Sequence, residues 1–179
     1  MNLVLIGLRG TGKSTVGRIL SMRLKWPFHD TDAIVQDRSG LTIRELFEQK
    51  GEPEFRRLES EVVQEFAKLD AAVIATGGGA ILNETNVAAL RANGFVVHLS
   101  ATPAELWRRI SLDAATSHTR PKLVQNAETG IDELQKLLLA RAARYAAARH
   151  SEVIVEDRTP DEVAEMILVL MKAHGVKAK

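Results

Sequence analysis

The sequence predicts an α/β fold, a parallel sheet flanked by helices. Three observations lead there. Short aliphatic, β-branched runs alternate with longer segments of helical character. A glycine-rich stretch joins the first run to the first helical segment, and three Thr-x-x-Glu patterns mark helix starts. With 179 residues, 45% of them hydrophobic, the chain has enough apolar material for one domain and little room for a second.

Leu3 to Ile6 reads as the first strand, Lys13 to Leu24 as the first helix, and a short run into His29-Asp30 as the second strand. Thr42-Ile-Arg-Glu45 has the capping-box form and starts a helix. After Pro53, Phe55, Leu58, Val62, Phe66 and Leu69 recur at spacings of three and four, which predicts an amphipathic helix over Glu54 to Leu69 with Arg56 and Glu59 beside its buried stripe. Ala72 to Ala75, Phe95 to Leu99 and Val153 to Val155 are the remaining strands. Thr102-Pro-Ala-Glu105 and Thr159-Pro-Asp-Glu162 open helices with proline at the first helical position. The alanine-rich stretch Ala140 to Ala148, carrying arginines and a tyrosine, reads as helix rather than repeat.

Gly7 to Thr15 has the spacing G-x-x-x-x-G-K-[ST] between a strand and a helix, in the order a phosphate-binding loop requires. Backbone N–H groups at Gly10, Thr11 and Gly12 would cradle phosphates and Lys13 would reach the terminal ones. Ser14 would ligate Mg²⁺, with Thr15 nearer the α-phosphate. Arg9 occupies a variable position of the loop and receives no role. Asp30-Thr-Asp32 ends the second strand, where ligands of doubly wound sheets bind; alternation along an extended chain sends both carboxylates to one side. A turn with a helix N-cap is the alternative. Thr76-Gly-Gly-Gly-Ala80 follows the third strand, and consecutive glycines there suit the close approach of a small substrate to the backbone.

Lys+Arg (24) and Asp+Glu (23) nearly cancel, so no bulk attraction to nucleic acid or to an anionic membrane is expected. The absence of cysteine excludes disulfides and thiolate metal sites and fits a cytoplasmic address. The apolar N-terminal run, interrupted by Gly7 and Arg9, is too short for a signal or membrane segment. The five histidines lack metal-ligand spacing, and Trp26 and Trp107 read as packing residues.

Together and in order, the phosphate loop, Asp30-Thr-Asp32, Phe55-Arg56-Arg57, Gly77-Gly78-Gly79, Arg120-Pro121 and Arg141-Ala-Ala-Arg-Tyr145 resemble the shikimate kinases, nucleoside-monophosphate-kinase-like P-loop enzymes. The likeness spans nearly the whole chain. It implies a single domain with a five-stranded sheet of order 2-3-1-4-5, a substrate-binding region at 33–60 and a mobile lid at 112–126. It further implies ATP and Mg²⁺ as cofactors and transfer of the γ-phosphoryl to the 3-hydroxyl of shikimate. By the same likeness Asp32 contacts the acceptor hydroxyls and Arg56 and Arg141 clamp the carboxylate. Gly77, Gly78 and Gly79 border the acceptor, Arg120 swings toward the phosphates, Arg109 lies by the adenine, and Asp30 joins Ser14 at the metal. A monomer with no nucleic-acid or membrane partner is expected. Lys122 departs from the family, which has an apolar residue after Arg-Pro.

A carboxylate ordinarily titrating near ~3.9 is a weak base for an alcohol, so Asp32 is expected to orient the hydroxyl first and accept its proton late. Two other classes stay open: a kinase for another small acid, such as a gluconate-type enzyme, and a nucleotide-dependent binding module without an acceptor. Paired Arg56 and Arg141 beside three glycines favour a cyclic carboxylate over the first. Asp32 beside the phosphates argues against the second.

Overall fold

The structure, a computed structural model, describes residues 1–113 and 130–176. The expected Arg120, and residues 114–126 of the expected lid, lie outside the described residues; Ser111 and Leu112 belong to a helix.

Five strands form an all-parallel sheet: β1 (Asn2–Ile6), β2 (Phe28–Asp30), β3 (Val73–Ala75), β4 (Gly94–Ser100) and β5 (Ser151–Ile154). Their order is β2-β3-β1-β4-β5, as the resemblance implies. β1 lies at the centre, in register with Val73 to Ala75 on one side and Gly94 to His98 on the other. All five residues of β1 are buried, and alternation splits them between two cores. Leu3 and Leu5 pack with Val16 and Leu20 of α1 (Lys13–Leu24), while Val4 and Ile6 pack on the opposite face with Val63, Leu90 and Leu106. Helices on both faces are what an all-parallel sheet requires.

Among the described residues five further helices follow α1 before the last: α2 (Thr31–Ser39), α3 (Ile43–Phe66), α4 (Glu84–Ala92), α5 (Pro103–Leu112) and α6 (Gly130–Ala148). The last is α7 (Pro160–Ala173), and a 3₁₀ turn spans Ala80–Leu82. A third, smaller core of Val35, Ile43, Leu46, Phe55 and Val62 lies between α2 and α3, beneath the region expected to bind the acceptor. No helix among the described residues is long and apolar enough to cross a membrane.

Several sequence expectations change. Asp30-Thr-Asp32 is not one extended segment: β2 stops at Asp30, whose side chain caps α2 by accepting from the N–H groups of Asp32 and Ala33. The cap therefore replaces strand alternation as the reason both carboxylates stand at this edge. The helix opened by Thr42 and the one expected from Glu54 adjoin as α3 across a non-helical break at Gly51, where φ is 83° and ψ 165°, and the second stops at Phe66 rather than Leu69. Capping boxes form completely at Thr42 and Thr159. At Thr102 the box is half-made: Thr102 accepts from the Glu105 N–H, yet the Glu105 carboxylate is taken by Arg108 and Arg109. Glu156 serves the Thr102 N–H instead, at 2.8 Å. Trp26 is buried as expected, whereas Trp107 stays 41% exposed.

Candidate active site

β1 delivers the glycine-rich loop to the carboxyl edge of the sheet. Gly10 and Gly12 take φ of 87° and 83°, in the left-handed region that favours glycine. A Cβ on Gly7 would collide with the Leu99 carbonyl oxygen, so β4 closes directly on the loop. Gly12 then starts α1, whose first turn has neither an acidic residue nor a side-chain cap. Its N–H groups and positive dipole end are left for an anion. Lys13 Nζ donates to the Gly7 and Leu8 carbonyls at 2.8 and 2.9 Å, arching over the concavity where a phosphate would sit. The Thr11 side chain turns inward, its hydroxyl donating to Leu8 O at 2.8 Å, and so braces the loop.

Ser14 Oγ donates to Asp30 Oδ2 at 2.6 Å, which joins the two residues expected at the metal. Asp30 Oδ1 meanwhile accepts from the Asp32 and Ala33 N–H groups. Two hard oxygen donors beside a phosphate cradle suit Mg²⁺, which keeps several waters and takes few protein ligands. No cluster of three or more His, Cys, Asp or Glu able to hold a metal occurs among the described residues.

The three glycines carry the opposite wall. Gly77 donates its N–H to Thr31 Oγ1 at 3.1 Å, and a Cβ on it would strike both the Asp32 and Glu59 carboxylates. Asp32 is 8% exposed and Glu59 only 2%. Burial raises the Glu59 carboxyl above its usual range; Arg56 and Arg141 oppose the rise and Asp32 adds to it, so all four charges share one neighbourhood. Arg56 Nη1 donates to Glu59 Oε2 at 2.7 Å, and its Nε and Nη2 reach Glu52 Oε1 at 3.1 Å. The same guanidinium occupies the space a Cβ on Gly79 would fill. Arg141 Nη1 donates to the Gly78 carbonyl at 3.0 Å, and Tyr145 Oη donates to that same oxygen at 2.9 Å. The N–H groups of Gly78 and Gly79 have no partner among the described residues and are available to a ligand.

A cleft of about 260 Å³ lies along the phosphate loop, lined by Gly10, Gly12, Lys13, Ser14, Thr15, Asp30, Asp32 and Arg109 among others. Gly78 lies against the loop backbone, within 3.4 Å of Gly7 O if it bore a Cβ, so the phosphate side and the glycine side touch. Arg109 is held by Glu105 at 2.6 Å and by the Val155 carbonyl at 2.9 Å, on the Gly12 side of the cleft. Thus Lys13, Ser14, Asp30, Asp32, Arg56, Arg109, Arg141 and the glycines all converge on one edge of the sheet.

Three contributors carry weaker signals in the sequence. Arg9 lines the cleft from a loop position that tolerates any residue. Glu59 sits i+3 from Arg56, a spacing that predicts their contact but not the burial of the pair. Tyr145 is i+4 from Arg141 and therefore on the same face of α6, a relation that points to a shared target. His98, 5% exposed, stacks on Tyr145 with ring centres 4.3 Å apart. Burial, with Arg149 and Lys13, lowers its pKa to about 4 against the pull of Glu152, so it is neutral at pH 7.

A family model for shikimate kinase matches residues 9–172. A curated shikimate kinase of Symbiobacterium thermophilum is 42% identical over 178 residues, covering 98% of each chain. A solved structure described as shikimate kinase from Acinetobacter baumannii in complex with shikimate is 34% identical, with a TM-score of 0.89 and coverage of 98% of this chain and 95% of that one. A gluconokinase structure from Sinorhizobium meliloti, 17% identical with a TM-score of 0.54, shares the fold alone.

Proposed function

The chain belongs to the shikimate kinase family, and on that footing we propose that it transfers the γ-phosphoryl of ATP to the 3-hydroxyl of shikimate, with Asp32, Arg56 and Arg141 holding the acceptor. One observation carries the assignment: Asp32, Arg56 and Arg141 meet around three glycines whose middle member rests on the phosphate loop. Such a wall supplies a carboxylate to accept from a hydroxyl, two cations and open backbone donors beside the phosphate loop.

The loop N–H groups and the α1 N-terminus take the phosphates, and Lys13 leaves the Gly7 and Leu8 carbonyls to neutralise charge on the transferred group. Ser14 and Asp30 are the residues that would hold Mg²⁺, which would supply neutralisation of the charge on the terminal phosphates. Asp32 accepts a hydrogen bond from the acceptor hydroxyl, aims its oxygen at the γ-phosphorus, and takes the proton as the new P–O bond forms and the bond to the leaving ADP breaks. Glu59, raised by burial, keeps Arg56 extended toward Gly79 by its 2.7 Å contact. Arg109 beside the adenine completes the reading. The enzyme works as a cytoplasmic monomer on two small molecules; sedimentation of the purified chain at assay concentration checks the oligomeric state.

The decisive experiment is coupled ADP release with Mg²⁺ and ATP, offering shikimate, quinate, gluconate or no acceptor. Release with shikimate far above the others is the expected result. Preference for gluconate, or no acceptor-dependent release from any of them, refutes the assignment.

Two variants test the carboxylate clamp. Arg56→Ala is expected to raise KM for shikimate about 10- to 100-fold, the worth of one charge-assisted hydrogen bond, with a smaller change in kcat. Gly79→Ala places a methyl group where the guanidinium lies, so it is expected to push Arg56 aside and raise the same KM about tenfold while the fold persists. An unchanged KM in both variants removes Arg56 from the acceptor site.

A further inference from the structure

We propose that Tyr145 is a positioning residue: it holds the Gly78 carbonyl so that Arg141 can leave that oxygen for the acceptor's carboxylate. The inference deepens the proposed function and rests on its carboxylate clamp. Arg141 Nη1 and Tyr145 Oη both donate to Gly78 O, at 3.0 and 2.9 Å. A carbonyl oxygen has two lone pairs, so neither donor excludes the other. Their situations differ. Arg141 is half-buried, and a guanidinium turning to a carboxylate exchanges a neutral acceptor for a charged one. Tyr145 is 2% exposed and stacked on His98 with an interplanar angle of 7°, so its ring cannot swing away.

Burial raises the Tyr145 phenol above its ordinary range, which keeps the proton on the oxygen and the group a donor throughout the neutral pH range. With Tyr145 in place, the departure of Arg141 leaves Gly78 O still paired. Without the hydroxyl, Arg141 is the last donor to that oxygen among the described residues, and its departure to the carboxylate leaves the carbonyl with neither. Arg141 is then retained on the loop, and the acceptor must compete with Gly78 for it. The spacing of the two donors suits this division of roles, since residues four apart on α6 present both side chains to the same peptide.

Tyr145→Phe removes only the hydroxyl and preserves ring, volume and stacking, so the folded chain is expected. In it, KM for shikimate rises about tenfold, kcat stays within twofold and KM for ATP is unchanged. The same substitution made in an Arg141→Ala background changes the already raised KM less than twofold, because no guanidinium remains to be released. The methyl ester of shikimate, lacking the charged carboxylate, is used with similar KM by the wild type and by Tyr145→Phe. An unchanged KM for shikimate in Tyr145→Phe, or an equal fold-increase in both backgrounds, overturns the proposal and leaves Tyr145 a packing residue. A KM for shikimate unaffected by Arg141→Ala instead overturns the clamp of the proposed function, a separate failure. Should Tyr145→Phe lose its structure by circular dichroism, His98→Leu tests the same lever: it removes the stacking partner while leaving the hydroxyl, and a rise in KM for shikimate alone, absent with the methyl ester, is required.

Discussion

Lys13→Ala is expected to lower kcat by about 10³-fold or more, the scale seen when a preorganised cation or donor is removed from a developing charge. In the folded chain Lys13 Nζ already stands over the loop, bonded to the Gly7 and Leu8 carbonyls. Its charge therefore needs only a short movement to meet a terminal phosphate. The substitution also strips two carbonyls of a donor, so a modest loss of loop order accompanies the loss of rate. Thermal denaturation separates the two effects, because β1 and α1 are anchored by fully buried Leu3, Leu5 and Leu20 and the fold should survive. Turnover within tenfold of wild type, measured by coupled ADP release at saturating substrates, would remove Lys13 from the reaction.

Asp32→Asn is expected to lower kcat about 10²- to 10⁴-fold, the range for losing a positioned proton acceptor, with KM for ATP nearly unchanged. Its effect on stability should run the other way. Glu59 has its carboxyl raised above the ordinary value, with Asp32 contributing to the rise. A carboxyl whose folded pKa exceeds its unfolded one weakens the fold as pH climbs past the unfolded value. Neutralising Asp32 lessens that penalty, so Tm at pH 7 should hold or increase while activity collapses, and the Glu59 titration should move down. Loss of activity together with loss of Tm would mark Asp32 as structural, and wild-type kinetics would end its assignment as the proton acceptor.

How far the sequence reached depended on the range of the interactions involved. Gly7 to Thr15 was legible because each requirement is local: a strand before it, glycine where φ is positive at Gly10 and Gly12, and a helix start with no competing cap. Thr42 and Thr159 were legible for the same reason, since a capping box closes within four residues. Thr102 has the same pattern and only half forms the box, because Glu105 has neighbours Arg108 and Arg109 to serve and Glu156 arrives from beyond the end of β5. Asp30 and Asp32 both line the cleft, but not for the reason their spacing suggests: period two assumes a strand where the carboxylate of Asp30 has already begun a helix.

By itself the sequence determined the layered α/β class, the phosphate loop and, through ordered motifs, the family. Those features are written in contiguous stretches whose backbone preferences and polar spacing act over one or two turns. Only the tertiary structure decided that Glu59 is buried between Asp32, Arg56 and Gly77, that Gly78 rests on the phosphate loop, and that Tyr145 shares its carbonyl with Arg141. The Tyr145 contact spans 67 positions and the Arg141 contact 63. Such contacts depend on which faces of α3 and α6 meet the sheet edge, and local preference places no constraint on a meeting between elements so far apart along the chain.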